Sequence, residues 1–396
     1  MMAANVSNYL FQIIVGNLMT VEDYGTVNAV LSLIQVMAIP NTIITLISAR
    51  YMAMGAGRND DDWRLSMLKT LVKLVCVIDL IIIVIGLMGL GPFSRLFKME
   101  QGYVAAAILV AAVTILSSLV QGTLQGMQKF TAYGVQNVLV ALGKLIFSII
   151  LIICGWRVYG VLAALFIGTG AGIVFGGKYI VGYVKQALGA VTKHHIDFKE
   201  FIHYCLAAAV VQGVLILLTN GDVLLVKMYF SEAETGIYSS AAVVGKIAMY
   251  VSSAVTAALF PMAVELKEKG KDTTFLLRRA FLYGGGMALL CAAVMLIGSE
   301  YVIGILFGQR YLVAIGYLPA VCCYVVPLTF LTILVNYILA VGKTLLLGIT
   351  MLSGVVLLLM VSGFYHVSVE SVILLGGIII AGILIINIIF MISEKY

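Results

Sequence analysis

Asp222, Lys227 and Lys246 are ionisable side chains set in runs of hydrocarbon, on either side of a short acidic turn, Ser231 to Gly236. Upstream, Asp79 sits inside VKLVCVIDLIIIVIGLMGL, Lys144 shares an apolar run with Asn137, and Asn8, Asn28 and Gln35 lie in the first two apolar runs. A charge at the centre of a bilayer costs about 2.5–3.5 kcal/mol on insertion scales, so such a residue faces a cavity or a partner. Lysine in a cavity attracts anions, and its compact charge binds phosphate without demanding two-pronged geometry. Lys246, Lys144, Lys227, Gln35, Asn8 and Asn28 are therefore candidates for lining a substrate cavity. Asp222 and Asp79 are candidates for holding those lysines, or for binding a proton or a sodium ion as the coupling charge.

Spacing sharpens part of this. Asp222 lies eight residues before Phe230, and Lys246 lies nine after Ile237. At equal rise along two adjacent antiparallel helices they reach similar depth, so an ion pair or a shared cavity wall is geometrically open to them. Lys227 is nearer the helix end, where a lysine can snorkel to headgroups. Asp79 and Lys144 each lie about ten residues from a helix end, near the midplane at ~1.5 Å per residue. They form a structural pair in the first half or belong to the cavity; depth alone does not separate the two.

The elements that must position these residues are transmembrane helices. Hydrophobic residues make up 62% of the chain and charged residues 11%, against about 25% charged in a soluble domain. About twelve segments approach the ~20 apolar residues that a spanning helix needs: 2–19, 25–48, 69–90, 103–121, 134–154, 159–184, 203–230, 237–260, 279–298, 311–334, 343–363 and 370–392. The runs are continuous, which disfavours a β-barrel. With the amino terminus placed inside, seventeen of the 24 Lys and Arg fall on inside loops, five on outside loops and two near mid-membrane. That bias predicts a multi-pass protein with both termini cytoplasmic. The basic residues sit in short loops beside apolar spans, which argues against a nucleic-acid partner. The six cysteines lie in or beside apolar runs without metal-ligand spacing, so packing is their expected role and no metal or cofactor is expected. No cleavable signal peptide is visible.

A faint internal repeat organises the chain. Asn8 to Asn41 has the layout of the 219–265 stretch at an offset of 211: apolar run, polar turn, apolar run. Gly25 falls on Gly236, Asp23 on Glu234, Thr20 on Ser231, Val15 on Val226 and Gln35 on Lys246. Two related halves are expected, 1–190 and 191–396, with a polar site between them. Their linker is KQALGAVTKHHIDFK at 185–199, in which His194-His195 reads as a solvated pair. Six crossings per half is even, so the halves should be related by an axis along the membrane normal. The first helix is about eight residues shorter than its partner, which points to a start lying further upstream or to lost inner turns. Pro40 should kink the second helix, and Gly168, Gly172 and Gly176 should let a neighbouring helix approach closely. No Ser/His/Asp set, metal motif or nucleotide-binding motif is present, so an enzyme is not expected and any driving energy would come from an ion or substrate gradient.

The stretch GDVLLVKMYFSEAETGIYSSAAVVGKI, followed by LFPMAVE, together with NYLFQIIVGNLMTVEDYGTVNAVLSL, resembles the polysaccharide exporters and lipid-linked oligosaccharide flippases. These belong to the MOP superfamily, which also holds MATE multidrug exporters and lipid II flippases. The resemblance implies an all-α membrane protein with two six-helix lobes in a MATE-like V shape. It implies a polyprenyl-diphosphate-linked oligosaccharide as cargo, carried across a bacterial plasma membrane. Asp222 matches the aspartate of the family's asparagine/glycine-aspartate pattern, Gly236 and Tyr238 its glycine-x-tyrosine turn, and Lys246 a position that is often basic. The first helix has no arginine of the kind the lipid II branch carries, which counts against lipid II as substrate. A cation-coupled drug or metabolite exporter of MATE type is the alternative; a non-transporting envelope scaffold has no need of intramembrane charge.

Overall fold

The computed structural model describes residues 2–57, 61–189, 198–252, 263, 272–341 and 344–393. Among them every regular element is helical. The chain divides into two compact units, Met1–Gln212 and Gly213–Tyr396. The division falls inside a helix, past the expected linker, of which 190–197 lies outside the described residues together with His194-His195.

The first unit holds α1 (Met2–Leu18), α2 (Val21–Met37), α3 (Ile39–Gly57), α4 (Asp61–Met88), the short α5 (Leu90–Leu96), α6 (Gln101–Gly126), α7 (Phe130–Ile153), α8 (Arg157–Gly189) and the first turns of α9 (Phe198–Tyr229). Thr20 starts α2 because its side chain accepts the Asp23 backbone N–H at 3.2 Å, satisfying a donor that the helix cannot. Glu22 and Asp23 in the first turn complement the helix dipole. The α2–α3 pair bends by 45°. The break lies at Ala38, and Pro40 sits in the first turn of the new helix, where its missing N–H costs nothing.

Close packing in this unit depends on glycine. A Cβ on Gly168 would lie 2.7 Å from the Lys144 backbone nitrogen, and Gly172 and Gly176 meet Val140 and Gln136, so α8 lies backbone-close along α7. Gly122 and Gly126 do the same for α6 on α3, each facing a backbone oxygen at 2.5 Å, of Thr45 and Ala49 respectively. Ile44, Ile47, Met67, Leu71 and Ile115 fill the space among α3, α4 and α6. The outward face of α4 is apolar and exposed, with Leu80, Ile81, Ile85 and Met88 prominent, as a lipid-facing surface must be.

The second unit takes the rest of α9, α10 (Glu232–Gly245), α11 (Thr274–Ile297), α12 (Ser299–Phe307), a 3-10 segment (Gln309–Tyr317), α13 (Leu318–Val341), α14 (Thr344–Phe364) and α15 (Val369–Ser393). Within α11, Phe281–Gly285 forms a π turn. Ser231 caps α10 with a full capping box: its hydroxyl accepts the Glu234 N–H, and the Glu234 carboxylate accepts the Ser231 N–H. Gly377 brings α15 onto α13, since a Cβ there would lie 2.5 Å from the Cys323 carbonyl oxygen.

Nine described helices are long and apolar enough to cross a membrane, ten with the bent α2–α3 pair counted as one span. The other two expected spans are α1, at 17 residues, and 237–260, of which 253–260 lies outside the described residues. The protein is thus an all-helical, multi-pass membrane protein.

Glycine packing leads to a paired prediction. Gly168→Ala must push α7 from α8 and should cost about 1–3 kcal/mol. Gly170→Ala, which meets nothing within 4 Å, should be neutral or slightly stabilising. Thermal unfolding of the two variants in detergent separates them.

Candidate functional site

The second unit builds its polar site on the helical hairpin α9–α10. Asp222 points inward from α9 with 1% of its side chain exposed. The Lys246 ammonium lies 3.1 Å from both carboxylate oxygens, and the Tyr238 hydroxyl donates to Oδ2 at 2.9 Å. Lys246 caps the C-terminal end of α10. The depth match expected from spacing is therefore realised as a direct ion pair, completed by a third residue from α10. From α13, Tyr324 donates its hydroxyl to the carbonyl oxygen of Leu218, one turn before Asp222 on α9. With Asp222 and Tyr238 buried and Lys246 only slightly exposed, the carboxylate takes two hydrogen bonds from the protein, one from each partner, in place of water.

Lys227 has a different fate from the one its position suggested. Its side chain is 1% exposed, and its ammonium meets the Glu232 carboxylate at 2.7 Å across the turn. It does not snorkel. The chain reverses between the two residues, which brings the acid back over the lysine, and Glu232 is half exposed. Beside them Tyr229 stacks on His366 with ring centroids 4.4 Å apart.

The first unit places Lys144 and Asp79 apart. The Lys144 ammonium donates to Asn8 Oδ1 at 2.6 Å and sits 4.2 Å from the centroid of the Phe11 ring, a cation–π contact. Asp79, on α4, has a buried Oδ1 without a hydrogen-bond partner. The Asp79–Lys144 ion pair that depth allowed is not formed. Asn28 is buried and turned to the Tyr24 carbonyl at 2.9 Å, which accounts for its amide within its own helix. Gln35 is exposed near the end of α2. Asp23, the repeat counterpart of Glu234, is bound instead by Arg157 at 2.8 Å.

The offset of 211 places Phe11 on Asp222. Each unit therefore sets a lysine against the same position of its first helix, but against a carboxylate in one unit and an aromatic face in the other. The lysines come from different helices, α10 and α7. Val15 and Val226, related by the same offset, are both fully buried, and Thr20 and Ser231 each cap the helix that follows. Sequence reasoning missed four partners: Tyr238 as a donor to Asp222, Glu232 for Lys227, and both Asn8 and Phe11 for Lys144. A hydroxyl sixteen residues from Asp222 on the facing helix was the available signal for the first. Among the described residues no group of three or more His, Cys, Asp or Glu side chains could hold a metal ion.

These features match solved structures over nearly the whole chain. An inward-facing multidrug resistance MATE family transporter of the MOP superfamily superposes with a TM-score of 0.81 at 15% identity, covering 98% of this chain and 93% of that one. MATE in the bent conformation gives 0.68 at 13%, covering 98% and 92%, and MATE in complex with MaL6 gives 0.67 at 15%, covering 98% and 92%. The likeness to these transporters is one of fold. The family model described as polysaccharide biosynthesis protein matches residues 1–267, and the chain belongs to that family. A comparison with curated protein sequences found no match.

The ion pair has a measurable energetic signature. Lys246→Met strands a buried carboxylate and should cost about 3–5 kcal/mol, while Tyr238→Phe removes one charge-assisted hydrogen bond and should cost about 1.5–3 kcal/mol. Asp222→Asn with Lys246→Met should lose less than the two single changes together, because neither charge is left alone. Denaturant unfolding in micelles gives all four values.

Proposed function

We propose that the protein is a flippase that moves a polyprenyl-diphosphate-linked oligosaccharide or polysaccharide repeat unit across the bacterial plasma membrane by alternating access, with both termini cytoplasmic and residues 1–190 and 191–396 as repeated lobes. The family supports a role in polysaccharide biosynthesis. The observation that carries the mechanism is the Asp222–Lys246–Tyr238 cluster. Lys246 is held ready by a carboxylate that can also release it: a diphosphate competes for the ammonium, and a proton or sodium ion taken up by Asp222 frees it. Tyr238 keeps the carboxylate in place through the exchange. Lys144 and Asn8 offer a second cationic and amide pair, and the exposed Gln35 a polar contact for sugar; Lys227, enclosed and paired with Glu232, and Asn28, bonded within its own helix, serve the fold. Asp79, with a buried oxygen lacking a hydrogen-bond partner, is the other coupling residue.

A cation-coupled drug or metabolite exporter of MATE type is the second reading. The fold neighbours and Asp79 favour it; Lys144, held by an amide oxygen and a ring where Lys246 and Lys227 are held by carboxylates, opposes it, since its charge repels cationic drugs.

Mass spectrometry of polyprenyl-diphosphate-linked glycans in a strain lacking the gene decides between them. The expected result is accumulation of an intact lipid-linked repeat unit with loss of its surface polymer. An unchanged lipid pool with new sensitivity to cationic dyes would favour the exporter. In the same strain, the Asp222→Asn/Lys246→Gln protein should fold and fail to restore the polymer; full restoration would remove the cluster from the mechanism.

A further inference from the structure

The face of the first unit where α4 begins, α6 ends, α7 begins and α8 ends carries two adjoining concavities. One, of about 430 Å³, is lined by Arg64, Lys129 and Tyr183. The other, of about 380 Å³, is walled by Phe130, Phe175 and Tyr179. Lys129 lines both. Its position is set by a tight turn: Gln128 adopts φ 57°, and the Lys129 N–H bonds back to the Leu124 carbonyl at 2.9 Å.

Two cations converge here on one ring. The Lys129 ammonium lies 5.6 Å, and the Arg64 guanidinium 5.4 Å, from the Tyr183 centroid. Lys129 gives one of its protons to the Tyr179 carbonyl at 3.1 Å, which fixes the ammonium at the junction of the two concavities. Two cations lining one concavity favour an anion there. The second concavity is apolar and opens on exposed hydrocarbon, with Phe130 63% and Tyr179 44% exposed. A single molecule that suits both has a phosphate head and a hydrocarbon chain. Basic pockets among transmembrane helices take lipid headgroups by this chemistry.

We propose that these two concavities form one binding site for an anionic lipid carrying a phosphate or diphosphate, with the head at Arg64 and Lys129 and the chain along Phe130, Phe175 and Tyr179. Resting on the function proposed above, the face is cytoplasmic and the ligand is the polyprenyl diphosphate carrier, collected here before transport. The site is distinct from the Asp222–Lys246 cluster, which belongs to the other unit.

Native mass spectrometry of the full chain, released from phosphatidylcholine nanodiscs and titrated with polyprenyl diphosphate, phosphatidylglycerol or inorganic diphosphate, tests this. Polyprenyl diphosphate should bind saturably, and at least tenfold more weakly to Arg64→Gln/Lys129→Gln. The charge-keeping Arg64→Lys/Lys129→Arg protein should stay within threefold of wild type. Should the double variant unfold, Lys129→Gln alone makes the same comparison. Equal binding by wild type and the glutamine variants overturns the site and leaves the proposed transport standing. A tenfold loss for phosphatidylglycerol, without binding of polyprenyl diphosphate, upholds an anionic-lipid site and counts against the proposed cargo. Inorganic diphosphate binding as tightly as the lipid overturns the role of the apolar groove.

Discussion

A carboxylate that water cannot reach dictates the arrangement of the second unit. Asp222 is almost wholly enclosed, and a bare charge in so apolar a setting is unaffordable without partners. Lys246 and Tyr238 supply them, and both come from α10. That fixes the facing of α9 against α10. The glycines do the rest: Gly245 faces Val321 across the α10–α13 contact, and Gly376 makes room for the ring of Tyr324. Packing brings the helices close enough for the charges to meet, and the charges prevent rotation out of register.

The two units share a backbone plan and differ in electrostatics. Capping by Thr20 and Ser231 starts the second helix of each, and that helix breaks within about one turn of Gln35 or Lys246. The lysine at that break is present in only one unit, where the other has Gln35. In the other, Lys144 enters from α7 and rests on Phe11 and Asn8. A lysine over an aromatic face gives up less of its charge than one locked to a carboxylate, so the two lysines offer an anion different terms.

What could be read from the residues alone follows from periodicity and depth. Spans and the α7–α8 glycines are local patterns, and the repeat carried the turn from one half to the other. The Asp222–Lys246 pair was accessible because two helices joined by a short turn must be neighbours, so equal depth implies proximity. The same logic had no hold on Asp79 and Lys144. Their helices are joined through α5 and α6, and depth says nothing of which way a helix is turned. Lys227 failed for another reason: its partner lay past the turn, so distance from the helix end misjudged how buried it was. Phe11 gave no sign at all, since an aromatic residue in an apolar run looks like any other core side chain.

The α9–α10 turn also bears on how the protein is made. Ser231 and Glu234 satisfy each other's backbone donors, and Lys227 is neutralised by Glu232 only five residues away. The hairpin thus closes its own polar ledger before later helices are synthesised. A ribosome-bound chain can hand these two helices to the insertion machinery as a single piece in which Lys227 and Lys246 are each matched by a carboxylate, Glu232 and Asp222.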